Sequence, residues 1–165
     1  MRFILIDRIL RMEKGQGGSF LKNVTQSEDF FTDHFPELPI MPGVLMLEGF
    51  DQASQLLLGC EHDFSRYPEL KQVLRVSFRH YVVPGDHLYI DLKIAGQNRA
   101  EAVVKAEAKV NGRMVAEATL VFAMVQGDRD GEAKAQCQRL KGLCDRLSAD
   151  SIGRAWDSLA DRFAQ

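Results

Sequence analysis

Three residues near the start of the chain are suited to acid–base chemistry. His34, Gly43 and Glu48 lie within fifteen residues of one another. A histidine titrates near neutral pH and is a ready general base, whereas a carboxyl group in an apolar surround tends to keep its proton and can act as an acid. A glycine at the start of a helix lets a carbonyl oxygen approach the free backbone N–H groups there. These groups favour β-elimination next to a carbonyl, although such residues at this spacing are also often ordinary surface residues.

The segment around His34 is rich in proline. Residues 27–42 contain Pro36, Pro39 and Pro42, three of the five prolines of the chain. Each proline fixes its own φ angle and restrains the residue before it, so we expect an irregular but stiff loop that holds His34 in a fixed position. Pro42 is also favoured at the start of a helix.

The segment after this loop predicts a buried helix. Residues 43–59 are apolar around most of a helical circumference, as in helices that lie inside a domain. One polar stripe interrupts the apolar surface. Its members are spaced i, i+3, i+4 and i+7 and therefore share a face; they are Glu48, Asp51, Gln52 and Gln55.

The remaining segments of the first 126 residues have the composition and alternation of strands. The clearest turn is Asn111-Gly112, a strong hairpin signal. Because helices do not separate the strands, the pattern predicts an α+β fold in which an antiparallel sheet of about six strands wraps around one long helix, and it excludes a parallel α/β fold. The predicted strands are residues 3–12, 19–26, 71–80, 86–95, 100–110 and 113–126, with a loop over 60–69.

The end of the chain reads as a helical extension. Residues 127–131 form a polar break, after which apolar residues recur at helical spacing. Seven basic and seven acidic residues balance in this part, so it is amphipathic rather than a basic arm. We therefore divide the chain into a domain over 1–126 and an extension over 127–165. The apolar stripes of the extension are Leu140, Leu143, Cys144 and Leu147, then Ile152, Trp156, Leu159 and Phe163.

Composition excludes several classes of protein. The 165 residues are 45% hydrophobic and 27% charged with a net charge of −2, which fits a globular domain and provides no basic field for nucleic acid. The cysteines, Cys60, Cys137 and Cys144, form no C-x-x-C pair; this argues against a disulfide framework or zinc site and favours the reducing cytoplasm. Neither a targeting segment nor a membrane span is expected, because charged residues interrupt the apolar runs.

One long motif carries a family resemblance. The segment DHFPELPIMPGVLMLEGFDQAS, residues 33–54, resembles the signature of the β-hydroxyacyl-acyl-carrier-protein dehydratases, in outline G-H-F-P-x-x-P-x-x-P-G-V-L-x-L-E-A-x-A-Q. The similarity continues upstream in FILIDRIL and LKNVT and downstream in FRHYVVPGDHL, and so covers about residues 3–125. This family has the hot-dog fold, a curled antiparallel sheet around one long helix.

The resemblance implies a substrate and an assembly. The substrate is a 3-hydroxyacyl thioester on the phosphopantetheine arm of acyl carrier protein, and the product is the trans-2-enoyl thioester. The assembly is a homodimer, or a trimer of such dimers, in which one subunit supplies the histidine of each active site and the other supplies the carboxylate. No metal and no cofactor beyond the arm of the substrate is implied.

The resemblance also implies roles for four residues. His34 matches the catalytic histidine that removes the α-proton, and Glu48 matches the catalytic carboxyl that protonates the leaving β-hydroxyl. Gly43 matches the glycine whose N–H polarises the thioester carbonyl, and Gln52 matches the glutamine that holds the carboxylate. Glutamate rather than aspartate at position 48 is implied to favour dehydration without isomerisation of the double bond.

The chain departs from the family pattern at three positions in the motif. Asp33 replaces the glycine before the histidine, and Gly49 and Asp51 stand where the family has alanines. Asp51 places a second carboxyl on the stripe of Glu48, which is expected to raise one of the two pKa values. With the added extension, these changes indicate a divergent member that acts on an unusual acyl chain.

Two further groups are candidates for contacts with the substrate or its carrier. Phe30, Phe31 and Phe35 flank the histidine and are predicted to line an acyl tunnel, with core packing as the alternative. Three basic residues, Lys71, Arg75 and Arg79, are predicted to lie along one strand and to dock an acidic carrier protein, with a solvated strand face as the alternative.

Two other functions remain open at this point. One is a hot-dog acyl thioesterase, which would use a carboxylate and water on the same thioester. The other is a non-catalytic hot-dog domain that binds an acyl-carrier partner and uses its C-terminal helices for assembly. Release of a free thiol separates the first of these from dehydration, because dehydration leaves the thioester intact.

Overall fold

The computed structural model describes residues 4–34, 37–127 and 131–148, with the side chain of Asp33 excepted. Six strands and three helices lie within these ranges. The elements in chain order are β1 (Arg8–Glu13), β2 (Gly17–Asn23), α1 (Phe30–Asp33), α2 (Gly43–Glu61), β3 (Arg66–Phe78), β4 (His87–Gln97), β5 (Glu101–Val110), β6 (Arg113–Gln126) and α3 (Gly131–Leu147).

The strands form one antiparallel sheet in the order β1-β2-β4-β5-β6-β3. The predicted hairpin at Asn111-Gly112 is confirmed: both residues have positive φ, +50° and +78°, as the tight turn between β5 and β6 requires. Shifts of register interrupt β1, β3 and β4, and such bulges bend and twist a strand. The sheet and its central helix are the architecture that the sequence predicted.

The helix α2 is the centre of the core. Phe50, Ala53, Leu56 and Leu58 are fully buried on it, because its apolar residues meet the inner face of the sheet. On β4, Leu88, Ile90 and Leu92 point inward and are at most 5% exposed, whereas Tyr89 points outward and is 43% exposed. This alternation is the one that the sequence predicted for a half-buried strand.

Several boundaries differ from the sequence prediction. The stretch predicted as a loop over residues 60–69 contains the end of α2 and the first residues of β3, which begins at Arg66. Proline is accepted at position 68 because β3 is the edge strand, where a missing N–H breaks no ladder on the open side. The strand predicted over residues 3–12 begins only at Arg8, and the predicted loop over residues 27–42 contains the short helix α1.

The described part of the extension packs against the body of the domain. The helix α3 contacts α2, β3 and β1 and buries Cys137, Leu140, Leu143 and Cys144, so the two cysteines share its packed face. Residues 149–165, with the second predicted stripe, lie outside the described residues. The division of the chain at residue 127 stays a prediction. None of the helices that the structure describes is long and apolar enough to cross a membrane.

The contact between α2 and α3 predicts opposite effects at two glycines of α2. A Cβ at Gly59 would lie 2.8 Å from Leu140 Cδ2 and 2.9 Å from the ring of Phe64, whereas at Gly49 the nearest atom is Ile90 Cδ1 at 3.5 Å. We expect Gly49→Ala to stabilise the fold by up to about 1 kcal/mol, because alanine is the better helix former. Gly59→Ala should be less stable than Gly49→Ala by about 1–2 kcal/mol, because it displaces packed neighbours. Urea unfolding measures both variants, and equal effects would contradict this helix contact.

Candidate active site

His34 follows the last residue of α1 and is half-buried. Its backbone N–H donates to the carbonyl of Phe30 at 3.0 Å, and its Nδ1 lies 2.9 Å from the carbonyl oxygen of Ile40. Because a carbonyl only accepts hydrogen bonds, Nδ1 carries the proton, and in the neutral ring Nε2 keeps the lone pair. The loop thus holds the imidazole in the tautomer and orientation of a base.

A cavity of about 420 Å³ joins His34 to the start of α2. A Cβ at Gly43 would lie 3.0 Å from the ring of Phe78, so only glycine fits here without moving that ring. The first N–H groups of a helix have no acceptor within the helix and point towards the positive end of its dipole. The cavity therefore combines a base with donors suited to a developing oxyanion. Its lining includes His34, Met41, Gly43, Met46, Phe78 and Arg79.

Glu48 is held on another face of α2. The amide Nε2 of Gln52 donates to Glu48 Oε1 at 2.8 Å, and the amide oxygen of Gln52 accepts from the backbone N–H of Leu5 at 2.9 Å. Gln52 is 1% exposed, so both ends of its amide are satisfied inside the core. This geometry is what the predicted role of Gln52 requires, since it fixes Glu48 relative to the segment that leads into β1.

One chain does not place the acid and the base together. Gly43 and Glu48 are five residues apart on α2, which corresponds to a rotation of about 140° around the helix axis. Glu48 is accordingly absent from the lining of the cavity that contains His34 and Gly43. The sequence resemblance placed these two side chains in different subunits, and the rotation of α2 is consistent with that arrangement.

Asp51 adds a second carboxyl one turn from Glu48. Burial raises the pKa of Asp51 to about 6, and the negative charge of Glu48 contributes in the same direction. The amide of Gln55 opposes this rise by donating to both carboxylate oxygens of Asp51 at 3.1 and 3.2 Å. The expected rise in one of the two pKa values is found at Asp51, where burial contributes more to it than the charge of Glu48.

Two of the aromatic candidates, Phe30 and Phe31, are not part of the lining of this cavity. The rings of Phe30 and Phe31 are 4.5 Å apart at an angle of 54°, and both residues pack into the core cluster. Phe35 lies outside the described residues, as does the side chain of Asp33. A tunnel role for the three phenylalanines stays a prediction, and the geometry of Phe30 and Phe31 favours core packing.

The three basic candidates lie on β3 and just beyond it, and all three are engaged in ion pairs. Lys71 pairs with Glu101, and Arg75 and Arg79 both approach Glu117, at 3.6 and 2.7 Å. Arg75 and Arg79 therefore share a face. Carrier docking stays a prediction, and Arg79 is the best placed of the three because it lines the cavity of His34.

Sequence reasoning missed two aromatic residues of β3. Phe78 lies against Gly43, and Tyr67 is close enough to Asp51 and Glu48 for their charges to raise its pKa, after burial as the main cause. Their direction depends on the register between β3 and β6, which contains two irregularities, and composition alone carries no signal for it. Among the described residues no group of three or more His, Cys, Asp or Glu side chains is arranged to hold a metal.

The buried carboxyl of Asp51 predicts a pH-dependent stability. From about pH 4 to 6 the unfolded chain loses this proton while the folded chain, with its raised pKa, keeps it. The free energy of unfolding should therefore fall as the pH rises through this window. Above the window the full cost of keeping Asp51 ionised in the core is present. We expect the advantage of Asp51→Asn over the wild type in free energy of unfolding to grow by about 2 kcal/mol as the pH rises from 4.5 to 7.5. Urea unfolding at the two pH values measures it. The exposed Asp145→Asn is the control, and an equal gain there would contradict the assignment.

Known proteins with similar sequences are dehydratases of the family that the motif resembles. Residues 1–119 match the model of the FabA-like domain. The chain is 37% identical over 123 residues to the 3-hydroxyacyl-acyl-carrier-protein dehydratase FabZ of Listeria monocytogenes serotype 4b (strain CLIP80459), covering 74% of this chain and 85% of that protein. It is 41% identical over 130 residues to the FabZ dehydratase of Variovorax paradoxus (strain S110), covering 75% and 85%.

The fold is also found among solved structures. The crystal structure of smu.793 from Streptococcus mutans UA159, bound to acetyl CoA, superposes with a TM-score of 0.62 at 19% identity, covering 76% of this chain and 94% of that one. A likeness at this identity shows the fold alone, whereas the family match and the two dehydratases extend over most of the sequence. The chain therefore belongs to the FabA-like family of hot-dog 3-hydroxyacyl-acyl-carrier-protein dehydratases.

Proposed function

We propose that this protein removes water from a 3-hydroxyacyl thioester carried on acyl carrier protein and forms the trans-2-enoyl thioester. The chain is a hydro-lyase of its family, and its relatives over most of its length are dehydratases of this type. The observation that carries the proposal is the cavity in which His34, fixed through Nδ1, faces the start of α2 at Gly43.

The elimination uses three groups of the chain. Nε2 of His34 removes the proton from the carbon next to the thioester carbonyl, and that electron pair forms the new double bond. The C–O bond at the β-carbon breaks as Glu48 donates its proton, so that the hydroxyl leaves as water. The carbonyl oxygen, on which negative charge develops, accepts a hydrogen bond from the N–H of Gly43. The proton on His34 returns through solvent to Glu48 before the next turnover.

The site is complete only when two copies meet. The outer edge of β3 pairs with no strand among the described residues, and apolar residues on and after it are exposed: Leu74 at 55%, Phe78 at 46% and Tyr81 at 75%. A long unpaired edge with exposed apolar side chains is a surface that proteins cover. We infer that two protomers join along β3, so that Glu48 of one reaches the His34 cavity of the other.

The partner in turnover is the acyl carrier protein, which acts in the cytoplasm. Arg79, His80 and Tyr81 lie at the cavity of His34, where the phosphopantetheine arm must enter. Positive charge at such an entrance speeds encounter with an acidic partner more than it adds affinity. We therefore place the carrier at this end of β3.

Variants of the two catalytic residues test the proposal. With 3-hydroxybutyryl-acyl carrier protein as substrate, mass spectrometry and ultraviolet absorbance report the enoyl thioester, and a thiol reagent reports hydrolysis. We expect water loss by the wild type without thiol release. We expect His34→Ala and Glu48→Gln each to lower kcat by at least about a hundredfold, which is the usual contribution of a positioned acid or base.

Matched substitutions of the same residue types control for this loss. His87 and Glu13 are outside the His34 cavity, and His87→Ala and Glu13→Gln should retain wild-type rates. Thiol release by the wild type would establish a thioesterase instead. Absence of both products across acyl lengths would leave a carrier-binding protein without catalysis and would overturn the proposal.

A further inference from the structure

A second cavity, of about 230 Å³, lies between the domain and α3. Ile4, Gln55 and Tyr67 form its wall on the domain side, and Gln136, Leu140 and Leu143 form the wall on α3. The family match ends at residue 119, so one wall of this cavity is built from a helix outside the family domain. We call it the α3 pocket.

The α3 pocket lies on the same face of α2 as the candidate catalytic carboxyl. Gln55, which lines the pocket, donates to Asp51, and Asp51 lies beside Glu48 closely enough for its pKa to respond to that charge. Tyr67 lines the same pocket and lies within electrostatic reach of both carboxyls. Gln55 is about two helical turns from Glu48, so the α3 pocket lies at the same face of α2 as Glu48.

The chemistry of the walls favours the end of a hydrocarbon chain. Ile4, Leu140, Leu143 and the ring of Tyr67 supply apolar surface. Arg139 and Arg146, which are exposed, lie at the rim, where the carbon stems of arginine extend an apolar wall while the charged groups stay in water. An alkyl tail gains by leaving water for such a wall.

We propose that the α3 pocket receives the far end of the acyl chain and that α3 thereby makes the enzyme selective for acyl chains of medium length. The inference rests on the proposed function for the identity of the thioester. It names the length of the substrate, which the dehydration chemistry at His34 and Glu48 leaves open.

The geometry sets that length. Glu48 and Gln55 are seven residues apart, which is about 10 Å along a helix. An extended backbone advances about 3.5 Å for every three bonds, so an extended alkyl chain covers this distance in about nine bonds. With the β-carbon of the substrate at Glu48, the tail ends in the pocket at about ten to twelve carbons. A shorter chain leaves the pocket empty, and a much longer one meets α3.

Two substitutions that fill the pocket from opposite walls test this proposal. Ile4 is 47% exposed and Gln136 is half-buried, so Ile4→Trp and Gln136→Trp add bulk to the pocket without disturbing fully buried side chains. Leu10→Trp is the matched control, because Leu10 is 45% exposed and does not line the pocket. Substrates are 3-hydroxyacyl thioesters of 4, 8, 12 and 16 carbons on acyl carrier protein.

We expect wild-type kcat/KM to be highest near twelve carbons. Ile4→Trp and Gln136→Trp should each lower the value for the 12-carbon substrate at least about tenfold, because several methylene groups at the end of the chain lose their apolar contacts. The 4-carbon value should stay within about twofold of the wild type. Leu10→Trp should keep the wild-type profile. A profile that peaks at four carbons, or one that neither pocket variant changes, overturns the proposal.

Calorimetric binding of saturated acyl-pantetheines of the same four lengths gives a second readout that needs no chemistry. If no substrate loses water but binding is tightest near twelve carbons and both pocket variants abolish that preference, the proposed function fails and the acyl-end pocket stands. If the wild type dehydrates every length and binds every length alike, the function stands and the pocket assignment fails.

Discussion

The fixed rotation of α2 is the constraint on which the site depends. Side chains on several faces of this helix are buried in one core, so it cannot turn about its axis without repacking the domain. Gly43 then opens towards the cavity of His34, while Glu48 points to the segment before β1, where Gln52 links it to Leu5. Each chain thus carries two halves of a site that face different directions. A second copy is the simplest way to join them.

The polar stripe of α2 shows what a catalytic carboxyl requires of a core. Gln52 is buried and fully paired, because an unsatisfied amide in this position would cost more than its bonds contribute. Asp51 does not have the same compensation: the amide of Gln55 opposes the effect of its burial without offsetting it, and the pKa of Asp51 rises to about 6. The family pattern has alanine at position 51, so Asp51 is a departure on the face of α2 that runs from Glu48 towards α3. The helix α3 is a second departure, since it lies beyond the family match.

Much of the fold, and part of the site, followed from residue types and spacing. Asn111-Gly112 specified its hairpin through backbone geometry, and the alternation of β4 specified its buried face. Proline at position 68 concealed the start of β3, because its acceptance depends on β3 being an edge strand, which is a property of the whole sheet. Phe30 and Phe31 are next to His34 in sequence, but the short helix α1 packs them into the core. The positions of Phe78 and Tyr67 at the site depend on strand register. The packing of α3 against α2 and β3 depends on contacts between residues distant in sequence.

Complementation between inactive chains tests the shared site most directly. His34→Ala and Glu48→Gln chains with different tags are co-expressed, and the mixed dimer is isolated. If each site takes its residues from two symmetry-related chains, one site of this dimer carries both substitutions and the other carries neither. We predict that the mixed dimer recovers about half of the wild-type rate of water loss per dimer, because one of the two sites in such a dimer is intact. A mixed dimer as inactive as the two parent variants would show that His34 and Glu48 act within one chain, and would contradict this account.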